Sequence, residues 1–591
     1  MKTWGNCRLL LLLTVIFISC NKDFKDDEQG LVEGANSPSI SGLSKTSGVM
    51  GDTLTIMGDF PNGGEVTFGI QKLNIVSFNS KEIVVVVPYG TGSAFVMVNS
   101  GVLRSNKVTF TYTLPPAKEG VRIGDNYYDV DTTTIMEVGP GTKYMVLSFT
   151  DRYTTNHLKV HLTFMDTQNP LLSFKPALAR DTVASMDNIP NIAVRKSKAG
   201  ARYFVGVNGD LFNTTLTAPP GVNNQGRVNN SCIVDGLITN MSYNYPAYAP
   251  VYFNGNTVYF DDFEFVSYVQ VPDMEKIGIK NVNNSRAADD LILYNTAKGR
   301  HTNTNNFGTE MAVVPIGGSW GDYTNVRVKI NTKVVYGQVG STVIPAGGAV
   351  VSGHDFSATV LNTASIGDTL TIVNYAKNTA TGTLIQQMIS GDRRILQNGQ
   401  VINPVAARTA RTAIGASADK STLVFCVAEG AIAGVSVGIS TSDLAEILKM
   451  YGIADAVHMN GGNYSTLYVK GAGYNNGGLV NRPNNTTTAS SVGNGLFAIS
   501  KAPDDASVVK LVSDLYSVRV KAGGTITPRF YGLNKYGHIV NSDISGVTVT
   551  EANGLGTVTG TSFTAGTTTG YTELVGTYGG MTSKVMVNIV P

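Results

Sequence analysis

Apolar and polar residues alternate in short runs toward both ends of the chain. Between residues 36 and 113 the alternation runs through Thr53-Leu54-Thr55-Ile56-Met57, Val66-Thr67-Phe68, Ile83 to Pro88 and Phe95-Val96-Met97-Val98. A period of two places alternate side chains on one face of a strand, so this stretch predicts a small β-sandwich. Residues 504–591 repeat the pattern in Tyr516-Ser517-Val518-Arg519-Val520 and Ile526 to Phe530, joined by Lys521-Ala522-Gly523-Gly524, a hairpin turn. Residues 114–502 mix strands with a few helices. The clearest helix is Thr441 to Tyr451, where Leu444, Ile447, Leu448 and Tyr451 share a face, Ser442-Asp443 can cap and Gly452 stops it. An apolar run, Thr422 to Val427, precedes it and Ala456-Val457-His458-Met459 follows. The predicted fold is therefore multidomain: a central α+β domain between two all-β, immunoglobulin-like sandwiches.

The first residues break this rhythm. Lys2 and Arg8 precede an apolar run, Leu9 to Ile18, that is short for a bilayer span and suits a signal peptide. Ser19-Cys20 closes it in the manner of a bacterial lipobox, which predicts a lipidated Cys20 after a signal peptide of residues 1–20. Residues 21–35, polar and rich in acids, then read as a flexible tether. The expected location is the outer membrane, at the cell surface or in the periplasm, held by the lipid alone. Loss of Cys7 and lipidation of Cys20 leave Cys232 and Cys426, both in strand-like runs. Export permits a disulfide, but buried free thiols are the expected state.

Composition agrees with a β-rich chain: 591 residues, 65 of them Gly, with only 15% charged. The net charge of +2 is scattered, which argues against a nucleic-acid partner. No Cys/His cluster exists, and His157 and His161 do not make a ligand pair, so no metal or other cofactor is expected. Asp261-Asp262 and Asp289-Asp290 could bind Ca²⁺ at the surface, but solvated turns are the expected reading.

Several motifs occur in the order of one family. They are Val205-Gly206-Val207-Asn208-Gly209-Asp210, then Asp289 to Tyr294 with Thr302 to Glu310, then Ser352-Gly353-His354. Arg411-Thr412-Ala413-Ile414-Gly415 follows, then His458-Met459-Asn460-Gly461-Gly462 to Ser465, and Asn481-Arg482-Pro483. The set resembles the phosphodiester glycosidase family, which implies cleavage of an N-acetylglucosamine 1-phosphodiester. Residues 36–113 resemble the IPT/TIG family, and 504–591 resemble bacterial Ig-like domains. The central stretch departs from its family at Asn460 (an Asp in the pattern), at Asn463 and Tyr464, at Asp355 (a Gly) and at Ser490.

A sugar phosphodiester needs a carboxylate near the anomeric carbon and a cation for phosphate. Glu310 is the preferred carboxylate, with Asp210 and Glu429 behind it. Arg411 is a phosphate clamp or a structural ion-pair partner with equal weight. His354 is a candidate acid or base and His458 a phosphate or substrate ligand. Asn208, Asn460, Gly461, Gly462 and Ser465 complete the expected substrate contacts. Four distant segments, around Asn208, Glu310, Arg411 and Asn460, should then share one cleft. A carbohydrate or sugar phosphate is the expected partner. The alternative is a catalytically weakened domain that binds glycans.

Overall fold

The computed structural model describes residues 37–591 apart from 50, 62, 70, 89–92, 114–120, 216–223, 243–248, 318–319, 321–324 and 338–339. The signal-peptide and tether expectations, Cys20 included, lie outside the described residues. Strands hold 52% of the chain and helices 7%, so the protein is multidomain and mostly β, a coarser class than the α+β centre expected.

Residues 37–46, 53–86 and 95–110 belong to one compact unit. One of its sheets orders Ser39–Leu43, Thr53–Asp59, Glu82–Val86 and Ile75–Phe78 side by side. The alternation visible in the sequence sets its core: Leu54, Ile56, Ile83 and Val85 point inward and are fully buried, as are Val66, Val96 and Phe110.

The other unit contains the remaining chain. Its largest sheet has nine strands, ordered Val121–Ile123, Asn126–Gly139, Thr142–Asp151, His157–Asp166, Thr422–Ala428, Arg411–Ser417, Ile453–His458, Arg393–Gln397 and Gln400–Val401. Tyr144, Ile414, Phe425 and Val457 on one face pack against Phe204, Val207 and Leu496 of a four-stranded sheet and Val251, Phe253 and Ile389 of a five-stranded one. The opposite face takes the helix Thr441–Met450 through Leu444, Ile447 and Leu448, the stripe read from the sequence. The N-cap is Ser440 rather than Ser442: its hydroxyl accepts from Asp443 N at 3.0 Å. Gly452, at φ +75°, stops the helix. An eight-stranded sheet has its own core around Leu293, Met311, Val328 and Ile372.

The last strands, from Lys510–Ser513 to Met581–Val590, have a separate core around Leu511, Phe530 and Val587. They also lean on the centre. Tyr531 joins the central core, and His538 sits edge-on to Phe204 with its ring bonded to Ser500 Oγ at 2.8 Å. Cys232 and Cys426 are both buried free thiols.

Candidate active site

Several strands end at one edge of the two packed sheets, and their last residues are polar. Asn208 ends Arg202–Asn208, Arg411 begins Arg411–Ser417, His458 ends Ile453–His458, and Glu429 follows Thr422–Ala428. Antiparallel register brings them level: Arg411 faces Ala428, and His458 faces both Ala413 and Arg393.

Asn208 is fully buried and staples this edge. Its Nδ2 donates to Asn460 O at 2.7 Å, and its Oδ1 accepts from Thr412 Oγ1 at 2.7 Å and Thr466 N at 2.9 Å. Asn460 N in turn donates to Gly209 O at 3.0 Å. The side-chain amide of Asn460 therefore hangs from a fixed backbone.

Two carboxylates lie here in opposite states. Burial pushes Asp210 up to about 7, with the charge of Asp392 adding to the rise and two donors from Asn230, each at 2.7 Å, opposing it. Burial also opposes ionisation of Asp392. There, bonds from His458 Nδ1 at 3.3 Å and Arg393 Nε at 2.8 Å prevail and hold the group down at about 2. His458 is driven toward its neutral form by burial and by Arg411, against the pull of Asp392. The bonds assign its tautomer: Nδ1–H donates to Asp392, and Nε2 accepts from Arg411 Nη1 at 3.4 Å. Arg411 also donates to Ala407 O at 2.6 Å and Ile439 O at 3.4 Å. Three of its five N–H groups are thus engaged, and the other two have no acceptor among the described residues. Beside them, Gly461 sits close against its neighbours: a Cβ there would stand a tight 3.1 Å from Ala410 O and 3.2 Å from His458 Nε2. Gly462 turns the chain at φ +63°.

Two buried polar atoms, Ser465 Oγ and Asn230 Oδ1, have no hydrogen-bond partner among the described residues. Each costs about 1–3 kcal/mol unless a water or ligand reaches it. Glu429 borders the cluster at the end of a buried relay. Tyr144 Oη lies 2.8 Å from His161 Nδ1, His161 Nε2 lies 3.1 Å from Glu429 Oε1, and Arg482 N donates to both Glu429 oxygens. Burial opposes the charge of Glu429, but these donors outweigh it and keep the carboxyl below its usual range.

Residues 324–499 match the phosphodiester glycosidase family. Arg411, Glu429, His458 and Asn460 fall within this match, whereas Asn208, Asp210 and Glu310 precede it. Residues 38–112 match the IPT/TIG domain. Among solved structures, a hypothetical protein from Synechocystis is 14% identical, over 78% of this chain and 81% of that one, with a TM-score of 0.48. The catalytic domain of zebrafish N-acetylglucosamine-1-phosphodiester alpha-N-acetylglucosaminidase, auto-inhibited by its pro-peptide, is 13% identical, over 63% of this chain and 87% of that one, with a TM-score of 0.29. No curated protein matches the chain.

The four segments expected in one cleft divide three to one. Asn208, Arg411 and Asn460 gather at the strand edge, together with Asp210, His458, Gly461, Gly462 and Ser465. Glu310 does not join them. It is buried in the eight-stranded sheet, where Thr302, Thr304 and Ser352 hydroxyls donate to it at 3.0, 2.8 and 2.9 Å and Arg286 stands 3.7 Å away. All of its partners are structural. His354 goes with that sheet too: it precedes the helix Asp355–Leu361, and its Nδ1 lies 3.0 Å from Asp355 Oδ2. Asp355 adopts φ +43°, so it meets the left-handed geometry for which the family pattern carries Gly. Tyr464, another departure, packs edge-on to Phe212 at 5.0 Å.

Sequence reasoning missed Asp392 and Asn230, and weighed His161 only as a metal ligand. Asp392 sits 66 residues from His458, and only strand register joins them; an Asp-Arg-Arg run in a chain this poor in charge was the available signal. Among the described residues, no group of three His, Cys, Asp or Glu side chains is placed to hold a metal ion, and no helix is long and apolar enough to cross a membrane.

Proposed function

We propose that the protein is a surface lipoprotein that hydrolyses a sugar-phosphate phosphodiester, an N-acetylglucosamine 1-phosphodiester on external glycans, at the strand-edge cluster. One observation carries this reading: a carboxyl poised near neutrality, Asp210, shares an edge with an arginine that keeps two N–H groups for phosphate. The phosphate is held by Arg411 and by the backbone N–H of Gly461. Asp210 draws a proton from the attacking water or faces the positive charge that grows on the anomeric carbon. The leaving phosphomonoester, with a second pKa of about 6, needs little help from an acid. Asp392 fixes the His458 ring, and His458 in turn orients Arg411. Supporting the substrate class is the match of residues 324–499 to the phosphodiester glycosidase family.

Incubating the full chain with a panel of N-acetylglucosamine 1-phosphodiesters and measuring released sugar tests the proposal. Release that falls sharply in Arg411→Lys supports it; no release from any member sinks it. Anchoring through Cys20 is tested separately, by lipid labelling of the chain and its loss in Cys20→Ser.

A second reading, a weakened domain that binds glycans without cleaving them, is favoured by Asn460, whose amide cannot act as a base where the family pattern has Asp. Under that reading Asn460→Asp raises turnover from near zero.

A further inference from the structure

Glu310 and Arg286, excluded from the strand-edge cluster, are both committed to one surface turn. Glu310 accepts from Thr302 and Thr304. Arg286, its side chain 1% exposed, donates to Asn305 Oδ1 at 2.8 Å and to the carbonyls of Asn305 and Phe307. A buried ion pair is a weak source of net stability, because desolvation offsets its attraction. Here it fixes the geometry of an irregular segment, Thr302 to Phe307, from beneath.

What that turn displays is aromatic. Phe307 is 45% exposed, and its ring stands 5.8 Å from Tyr336, itself 69% exposed. The His354 ring meets Phe307 edge-on, also at 5.8 Å. Next along the chain, Phe356 is 67% exposed and lines an open hollow of about 570 Å³ together with Asp289, Asp290 and Lys280. His354 N donates to Asp290 O at 3.0 Å, which joins the ring cluster to the hollow. The volume lies within the ~300–1,000 Å³ typical of small-molecule sites.

Large apolar rings left in water mark a ligand surface when they are contiguous. Rings held on a rigid backbone lose little freedom on binding, so their contacts convert efficiently into affinity. The surrounding charge is net negative, with Asp289, Asp290 and Asp355 against Lys280, which disfavours an anionic ligand. Carboxylates beside flat apolar faces suit a ligand that is apolar on its ring faces and rich in hydroxyl donors at its edges. We propose that the Phe307–Tyr336–His354 rings and the adjoining hollow form a saccharide-binding site, distinct from the strand-edge cluster and taking an uncharged pyranose chain. The sugar faces lie on Phe307 and Tyr336, and the hydroxyls donate to Asp289 and Asp355.

Titrating the full-length protein calorimetrically with chitotriose, maltotriose and cellotriose tests this, alongside the Phe307→Ala/Tyr336→Ala double variant and Asp210→Asn. The expected result is binding of at least one trisaccharide, weakened at least about tenfold in the double variant and retained in Asp210→Asn. Unchanged near-ultraviolet circular dichroism at the other aromatic residues establishes that the double variant is folded. Three results overturn the proposal: no trisaccharide binds, the double variant binds as tightly as the parent, or Asp210→Asn abolishes binding and so moves the sugar to the strand-edge cluster. Because binding is read without turnover, failure of the hydrolytic reading leaves this outcome unaffected.

Discussion

Asp210 and Asp392 are the same residue type at one strand edge, yet their environments separate them by several units of pKa. Asp210 is buried with only amide donors, whereas Asp392 faces an imidazole and a guanidinium. Pairs driven apart in this way are how one site holds both an acid–base group and a permanent charge. If Asp210 acts as the base, it must be ionised, so kcat/KM is expected to rise with pH through about 7 and then level. A pH–rate profile without that limb removes Asp210 from the role. Asp392 has a signature in stability. Its folded pKa, about 2, lies below its unfolded value, so its contribution is present above pH ~4 and lost as pH falls through 2. Melting curves of Asp392→Asn are therefore expected to sit below the parent at pH 7 and to converge with it near pH 2.

At the level of elements, alternation and helical stripes were legible because they are local. Leu444, Ile447 and Leu448 announce a buried helix face within five residues, and Leu54 and Ile56 announce a strand face within three. The site was legible only where motif order carried it, as for Asn208, Arg411, His458 and Asn460. What escaped was contact set by register between strands far apart in sequence, such as Asp392 with His458 and His161 with Glu429, 268 residues apart. Glu310 shows the opposite error. A carboxylate among Thr, Asn and Ser reads like a site, but those hydroxyls turn inward to satisfy it. Glu310→Ala is accordingly expected to destabilise the fold by about 3 kcal/mol or more, since Arg286 is left buried and unpaired. A denaturant melt checks the loss, and kcat of the folded fraction is expected to stay within about threefold of the parent. A loss of kcat of a hundredfold or more would return Glu310 to the chemistry.

At the scale of the molecule, the C-terminal strands are more than an appendage. Tyr531 enters the central core, and Arg519 and Lys510 pair with Asp131 and Glu137, each at 2.8 Å. Removing residues 504–591 uncovers the side of Phe204 now faced by His538. Truncation is expected to lower the melting temperature of the central sheets, and an unchanged midpoint would show that the C-terminal strands are only docked. The strand-edge cluster depends on that same packing, because the sheets that bring Asn208 to Asn460 are the ones whose core Tyr531 completes. The most direct test of hydrolysis at this cluster is sugar release from an N-acetylglucosamine 1-phosphodiester by the parent and by Asp210→Asn, measured at pH 8. Hydrolysis carried by Asp210 predicts turnover in the parent that falls by about 10²–10⁴-fold in the variant. Equal turnover in both proteins, or none in the parent, contradicts it.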